Sequence, residues 1–336
     1  MASFSKLVPL SLVALLSSCS SSGVEIPHKT LFLFDTAVNM SCPNAREEDF
    51  EELSKILKRY DAVSDAYKQR DVINVYSWSH TEEKIYFGDE EGRAPFELFK
   101  LVKSSFNAVW DGARNVEFRL GSLYQKWKEA EQKGVLLEED VIQEALTKRS
   151  NSWFTIHDDE DDPSEHYIVQ GGVEAFDYGA TAKGCALDAC KEYLDTRKDL
   201  TDYIINAGSS SILLGSSARN KNKSNPAYSI KIKELSNVSF YAHDCFVSTS
   251  GTSEQGVTIN GVKYSHIINP KTGSAVTNYD EVIVISDNGT YGDAFATSMM
   301  FDTVEKIKEL EEQVGFKTIV IKDKKIVYRH KDIIFK

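Results

Sequence analysis

A succession of short strand-like runs in the second half of the chain, each closed by a turn, limits the folds open to it more than any other feature. "HYIVQGG" starts at 166; "DYIINAG", "SILLG", "YSIKIK", "FVSTSG", "YSHIINP" and "EVIVIS" follow, and "TIVIKDKKIVYRH" (318–330) reads as a hairpin. The first half is different. "TLFLFDTAVNMS" (30–41) reads as a strand entering a turn, and then "REEDFEELSKILKRYDAV" sets Phe50, Leu53, Ile56, Leu57 and Tyr60 at helical spacing. "APFELFKLVKSSFNAVW" places Phe96, Phe99, Val102, Phe106 and Val109 on one helix face, and "EEDVIQEALTKR" makes a third helix. Helices early and strands late, with two further helices among the strands, argue for an α+β domain rather than a regularly alternating parallel sheet. No internal repeat and no interdomain linker interrupts it.

The first residues stand apart from that pattern. Lys6 precedes the apolar run "LVPLSLVALL" (7–16), and "LSSCSSSG" follows. The run is shorter than the roughly 20 residues of a membrane-spanning helix and has the layout of an export signal. Leu16, Ser17, Ser18 and Cys19 match the lipobox of bacterial lipoproteins, in which the cysteine is lipidated and becomes the new N-terminus; an ordinary signal cut elsewhere is the alternative. The expected organisation is a signal peptide over 1–18, a lipid-anchored linker over 19–29 and one domain over 30–336, held on the outward face of a bacterial membrane. A net charge of −12 works against a nucleic-acid partner, which needs clustered lysine and arginine. Cys42, Cys185, Cys190 and Cys245 have no CxxC spacing, and are expected as buried small residues rather than metal ligands. The acidic run "HDDEDDPSEH" (157–166) lacks the ligand spacing and central glycine of a calcium loop and is expected as a solvated turn.

Four segments carry oxygen, nitrogen and charge in patterns that suit chemistry. In "DYGATAKGCALDAC" (177–190), residues 179–184 are expected as a turn between a strand and a helix whose buried side is Ala186, Leu187, Cys190 and Leu194. Free N–H groups at such a helix start, with Lys183 beside them, make a phosphate seat, and Asp177 can accept hydrogen bonds from the same ligand. A plain corner packed with small residues fits the segment as well. In "YGDAFATSMM" (291–300), Asp293 and Thr297 stand four apart, on one face of a helix. Hard divalent cations take such oxygens, although an aspartate near a helix start and a threonine bonded back to its own helix explain the pair without a metal. In "YSHIINPKTG" (264–273), strand alternation puts Tyr264, His266 and Ile268 on one face ahead of a tight turn, so His266 is either a fixed general base or a satisfied structural histidine. The hydroxyls of "FVSTSGTSEQ" (246–255) are expected as a turn that can wrap a polar ligand edge.

Taken in order, "FDTAV", "DYGATAKGCALD", "INAGSS", "VSTSG", "SHIINPKTG" and "GDAFATSMM" resemble the blocks of the ApbE-type FAD:protein FMN transferases, over roughly 30–336. The resemblance implies an ApbE-like fold of mixed, largely antiparallel strands with packed helices. It implies an exported, often lipid-anchored transferase that uses magnesium to split FAD and attaches FMN to a threonine or serine of an acceptor protein, releasing AMP. Asp293, Thr297 and the Ala180 carbonyl would then hold the magnesium. Phe34, Tyr67, Asp177, Lys183, Gly208, Ser250 and Ile267 would line the FAD site, and His266 would be the base. This chain departs from the family pattern at Phe34 and Asp35, where Met-Gly is usual, at "INAGSS", which lacks a second glycine, and at Asn269, where aspartate is usual. An FAD pyrophosphatase and a non-catalytic flavin-binding lipoprotein remain as alternatives.

Overall fold

The structure is a computed structural model; it describes residues 26–64, 84–88, 90–159, 162, 165–217, 227–235, 237–252, 256–259, 262–275 and 277–336. Its centre is an eight-stranded sheet. In spatial order the strands are β1 (His28–Leu33), β2 (Thr36–Ser41), β6 (Ile204–Ala207), β7 (Ser211–Leu214), β10 (Cys245–Gly251), β13 (Glu281–Ser286), β14 (Lys317–Lys322) and β15 (Lys325–Arg329). All the pairings within it are antiparallel. Three smaller sheets flank it: β3 (Lys84–Tyr86), β5 (Tyr167–Gly171) and β4 (Trp153–His157) in that order, β8 (Tyr228–Lys231) with β9 (Ser239–Ala242), and β11 (Gly256–Ile259) with β12 (Val262–Ser265).

Seven α-helices are present among the described residues: α1 (Glu47–Ser64), α2 (Phe96–Trp110), α3 (Gly121–Lys133), α4 (Glu139–Asn151), α5 (Ala182–Asp195), α6 (Gly289–Ser298) and α7 (Val304–Val314). The chain is therefore α+β with antiparallel sheets, as the order of its segments predicts. None of these helices is long and apolar enough to cross a membrane. The strand β13 shows why the main sheet is central. Val282 and Val284 pack with Phe295, Met299 and Leu310 of the helical side, while Ile283 packs with Ile319, Ile321 and Phe240 on the other face. Both faces are covered, so residues 282–285 of this strand are apolar throughout instead of alternating with polar residues.

Several elements differ from the sequence expectation. The run 30–41 is a complete hairpin, because Phe34 and Asp35 take φ of 54° and 55° and form a two-residue turn. That turn usually carries Asn or Gly, so its residue types conceal it. The buried face of α2 is Leu98, Phe99, Leu101, Val102, Ser105 and Ala108, so Phe99 and Val102 are buried as expected, while Phe96, Phe106 and Val109 are only half-buried. Small Ser105 and Ala108 let α2 approach the neighbouring segments, and the Ser105 hydroxyl meets that of Thr181 at 2.7 Å. Helices α3 and α7 and strands β3, β4, β9 and β11 are not among the segments read from the sequence. In the acidic run, Asp158 pairs with Lys103 and with His166 Nε2, so part of it is tied to the fold. The four cysteines are buried free thiols, as expected.

Candidate active site

The site is organised where two helix starts touch. A Cβ on Gly184, in the first turn of α5, would lie 2.1 Å from the Gly289 carbonyl oxygen, and one on Gly289 would lie 2.6 Å from the Gly184 oxygen. Only glycine at both places permits this approach. It brings α6 alongside α5, so that Asp293, one turn into α6, reaches back to α5 and accepts the Gly184 N–H at 2.7 Å through Oδ2.

Neighbouring strands complete the surroundings of that carboxylate. Ser211, the first residue of β7, donates to Oδ1 and Oδ2 at 2.9 Å each, and Ser248 of β10 donates to Oδ1 at 2.6 Å. Ser248 and Ser250 are two apart on one strand and point to the same side, and the Ser250 hydroxyl lies 2.9 Å from the Thr297 hydroxyl, one turn beyond Asp293. Thr297 is thus engaged across the interface through its hydroxyl. The segment 246–251 is strand, as the run "FVSTSG" predicts, and its hydroxyls are not on the turn also expected there; the strand's alternation is the signal that places Ser248 at the site.

Asp293 is 7% exposed. Burial pushes its carboxyl up to about 6, against the opposing pull of the Lys183 charge and of hydrogen bonds from Ser248, Ser211 and Gly184. A carboxylate buried this deeply is compensated by a cation or by protonation. The Asp293 carboxylate and the Thr297 hydroxyl one turn on, and the Ala180 carbonyl in the turn before α5, are oxygens of the hard type that suits magnesium. Among the described residues no donor reaches the Ala180 carbonyl: Gly184, which stands four residues on and would pair with it in a regular helix, bonds Asp293 instead. No group of three or more His, Cys, Asp or Glu among those residues could form a metal cage, so an ion here would rest on a single carboxylate with neutral oxygens and ligand atoms.

The segment around Asp177 corrects two expectations. Strand β5 ends at Gly171, 173–178 has no regular structure, and the turn covers only 179–181, so Lys183 and Gly184 belong to α5. The first amides of α5 are also less free than a phosphate seat requires. Thr181 and Ala182 donate to the Tyr178 carbonyl, and Gly184 to Asp293, which leaves the Lys183 N–H as the one without an acceptor among the described residues. Asp177 accepts the Gly179 N–H at 2.7 Å and fixes the turn.

The remaining expected residues are placed as follows. Phe34 is half-buried in the β1–β2 turn and donates its N–H to Asp61 at 2.7 Å. Gly208 turns with φ of 68° against Thr36, so these two lie at the same end of the sheet. Ile267 is buried and its N–H donates to Ser265 Oγ at 3.1 Å. Strand β12 stops at Ser265, which ends the alternation expected through Ile268: Ile267 and Ile268 are both buried, and His266 is exposed. The turn after it is seated on the α3–α4 pair, where Trp127 donates to the Gly273 carbonyl at 3.0 Å and Arg149 to that of Pro270 at 3.0 Å. Tyr67 and Cys19 lie outside the described residues.

Comparison with known proteins finds similar sequences and similar folds. An FAD:protein FMN transferase of Rhodobacter capsulatus is 31% identical over 150 residues, 43% of this chain and 27% of that protein. One from Treponema pallidum is 27% identical over 199 residues, 56% of this chain and 54% of that one. The matched chain thus spans about half or less of the length of these curated relatives. Among solved structures, the ApbE protein of Thermotoga maritima has a TM-score of 0.72 at 20% identity, covering 91% of this chain and 97% of that one. The flavin transferase ApbE of Vibrio cholerae has a TM-score of 0.69 at 19% identity, with 93% and 96% covered. These two establish likeness of fold. The family model described as ApbE family matches residues 34–320, which takes in both helix starts, the serine strand and the turn after His266, and the chain belongs to that family.

Proposed function

We propose that this protein is a magnesium-dependent FAD:protein FMN transferase, which cleaves FAD and joins FMN through a phosphoester bond to a threonine or serine of an exported or membrane acceptor protein. The observation that carries the proposal is the buried Asp293 carboxylate, set between the first turn of α5 and two serine hydroxyls with Lys183 beside it. A protein that merely stored flavin has no need of an ionisable group there.

Asp293, Thr297 and the Ala180 carbonyl would hold the magnesium. When bound, the ion supplies Lewis-acid neutralisation of charge on the pyrophosphate. Lys183 contributes a further positive charge and a free main-chain N–H on the same side. The acceptor oxygen forms a bond to the FMN-side phosphorus, the bond from that phosphorus to the AMP oxygen breaks, and AMP departs with the electron pair. His266, on the surface beside its well-seated turn, takes the proton of the acceptor hydroxyl; its exposure suits a substrate that is itself a protein. Phe34, Tyr67, Asp177, Gly208, Ser250 and Ile267 would contact FAD. Export and lipidation at Cys19 would put this reaction on the outward face of the membrane.

The test is to incubate the detergent-solubilised full chain with FAD, magnesium and an extract of its own membrane and exported proteins. A fluorescent, covalently flavinylated band supports the transferase. Free FMN with no band would indicate a pyrophosphatase, and bound FAD without turnover a binder. Asp293→Ala should abolish the band while flavin fluorescence still reports FAD binding.

A further inference from the structure

Asp188 has no assigned part in the site, and its surroundings give it one. It lies one turn after Gly184 on α5, and its carboxylate faces the start of α6: Oδ1 accepts the Gly289 N–H at 2.6 Å, and Oδ2 accepts the Thr290 N–H at 2.9 Å and the Thr290 hydroxyl at 2.6 Å. Asn288 caps the Tyr291 N–H of the same turn at 2.8 Å. The first three amides of α6 are therefore all satisfied, two of them by a residue of another helix.

The converse bond runs from the first turn of α5 to Asp293 of α6. Thr181, the residue at the N-cap of α5, makes no capping bond with its own side chain. Each helix thus supplies the carboxylate that caps the other, and the glycine pair fixes how closely they lie. Breaking one half of the exchange loosens the other half.

We propose that Asp188 is a positioning residue, which holds the start of α6 against α5 so that Asp293 and Thr297 stand where a metal ion can be taken up. The proposal rests on the reading of Asp293 as a metal ligand. Burial pushes the Asp188 carboxyl above its ordinary range, while the Thr290 hydroxyl and the two amides pull it down. Asp188→Asn keeps the size and leaves one acceptor oxygen for three donors, with an NH2 group turned toward N–H groups. Removing a group that orients a metal ligand typically costs about 10- to 100-fold in metal affinity.

The experiment titrates Mn2+ into the full-length protein and reads the free ion by its EPR signal, with FAD affinity measured in parallel by flavin fluorescence in EDTA. Asp188→Asn should bind Mn2+ about 10- to 100-fold more weakly, with FAD affinity within about twofold of wild type. A purely structural staple would lower stability and both affinities together, which would overturn the proposal. Thr290→Val removes only the hydroxyl bond and should weaken Mn2+ by about three- to tenfold. If Asp188→Asn does not fold, unchanged Mn2+ affinity in Thr290→Val overturns the proposal. If it folds and binds Mn2+ like wild type while Asp293→Ala does not, Asp188 is excluded and the metal site stands. If Asp293→Ala also binds like wild type, the metal site itself is wrong.

Discussion

Gly184→Ala is a one-methyl change whose effect follows from distances. The new Cβ would meet the Gly289 oxygen at 2.1 Å, the Gly289 carbonyl carbon at 2.4 Å and the Thr290 nitrogen at 2.8 Å. All three are backbone atoms of α6, so no side chain can swing aside. Real Cβ contacts stop at about 3.0 Å, so α5 and α6 must separate by about 0.9 Å. A shift of that size takes the 2.7 Å bond between Gly184 and Asp293 beyond the ~3.2 Å reach of a good N–H···O bond.

The energies can then be weighed. A lost hydrogen bond to a charged group costs about 1.5–3 kcal/mol, and overpacking adds about 1–3 kcal/mol. The better helix propensity of alanine returns about 1 kcal/mol. A net loss of about 1.5–5 kcal/mol is expected, which lowers Tm by roughly 2–7 °C in a protein of this size. Differential scanning fluorimetry measures it, and Mn2+ affinity should fall in the same variant because Asp293 moves with α6. Gly289→Ala, whose nearest contact is the longer 2.6 Å, should be the milder of the two. A Gly184→Ala protein with wild-type Tm and wild-type Mn2+ affinity would refute the close helix contact as the feature that builds the site.

Other predictions concern charge, catalysis and anchoring. In metal-free protein the Asp293 carboxyl is raised to about 6, so it favours the folded state below about pH 4 and this contribution is lost as pH rises through about 6. Thermal melts in EDTA should show this fall, on the order of 2–3 kcal/mol, and Asp293→Asn should flatten it; parallel wild-type and variant curves would contradict the assignment. His266→Ala should slow covalent flavin transfer by roughly 10²- to 10⁴-fold with little change in Mn2+ affinity. A rate recovered at saturating FAD would mean that the imidazole binds flavin instead of moving a proton. Cys19→Ala should release the protein from membranes without harming activity in solution, and a variant that resists detergent-free washing would sink the lipobox.

Much of the fold is legible because burial on both faces writes itself into the strands: "EVIVIS", "TIVIK" and "SILLG" have no polar face to present, and each is a strand of the main sheet. Amphipathic α1 is equally plain, with Phe50, Leu53, Leu57 and Tyr60 buried at helical spacing. What stays hidden depends on long-range partners. Nothing local shows that Phe34 and Asp35 form a left-handed turn, or that Ser211 will lie under a carboxylate 82 residues away. Helix α5 starts at Ala182 because the Tyr178 carbonyl takes the Thr181 and Ala182 amides, a choice the sequence of small residues does not disclose. His266 falls off the expected strand face because Ser265 Oγ turns to the Ile267 amide and the Ile267 and Ala275 carbonyls, which bends the chain one residue earlier.

The reciprocal capping also alters how charge is handled at the proposed pyrophosphate site. A helix start usually attracts an anion through several free amides. Here Asp293 takes one of them, the Tyr178 carbonyl takes two, and Lys183 stands close enough to pull the Asp293 carboxyl down. The Asp293 and Lys183 charges cancel. A dication added to that neutral pair leaves a double positive charge, equal and opposite to the pyrophosphate of FAD. Without the dication the same phosphates would meet a neutral pair and a single amide, which is the reason the proposed reaction would need a metal. Lys183→Met should therefore weaken FAD binding in EDTA, where among the described residues the ammonium is the cation felt by the carboxylate, and weaken it less when Mn2+ is present. Flavin fluorescence titrations under the two conditions separate these losses. Equal losses would show that Lys183 acts independently of the metal, and the charge balance drawn here would fail.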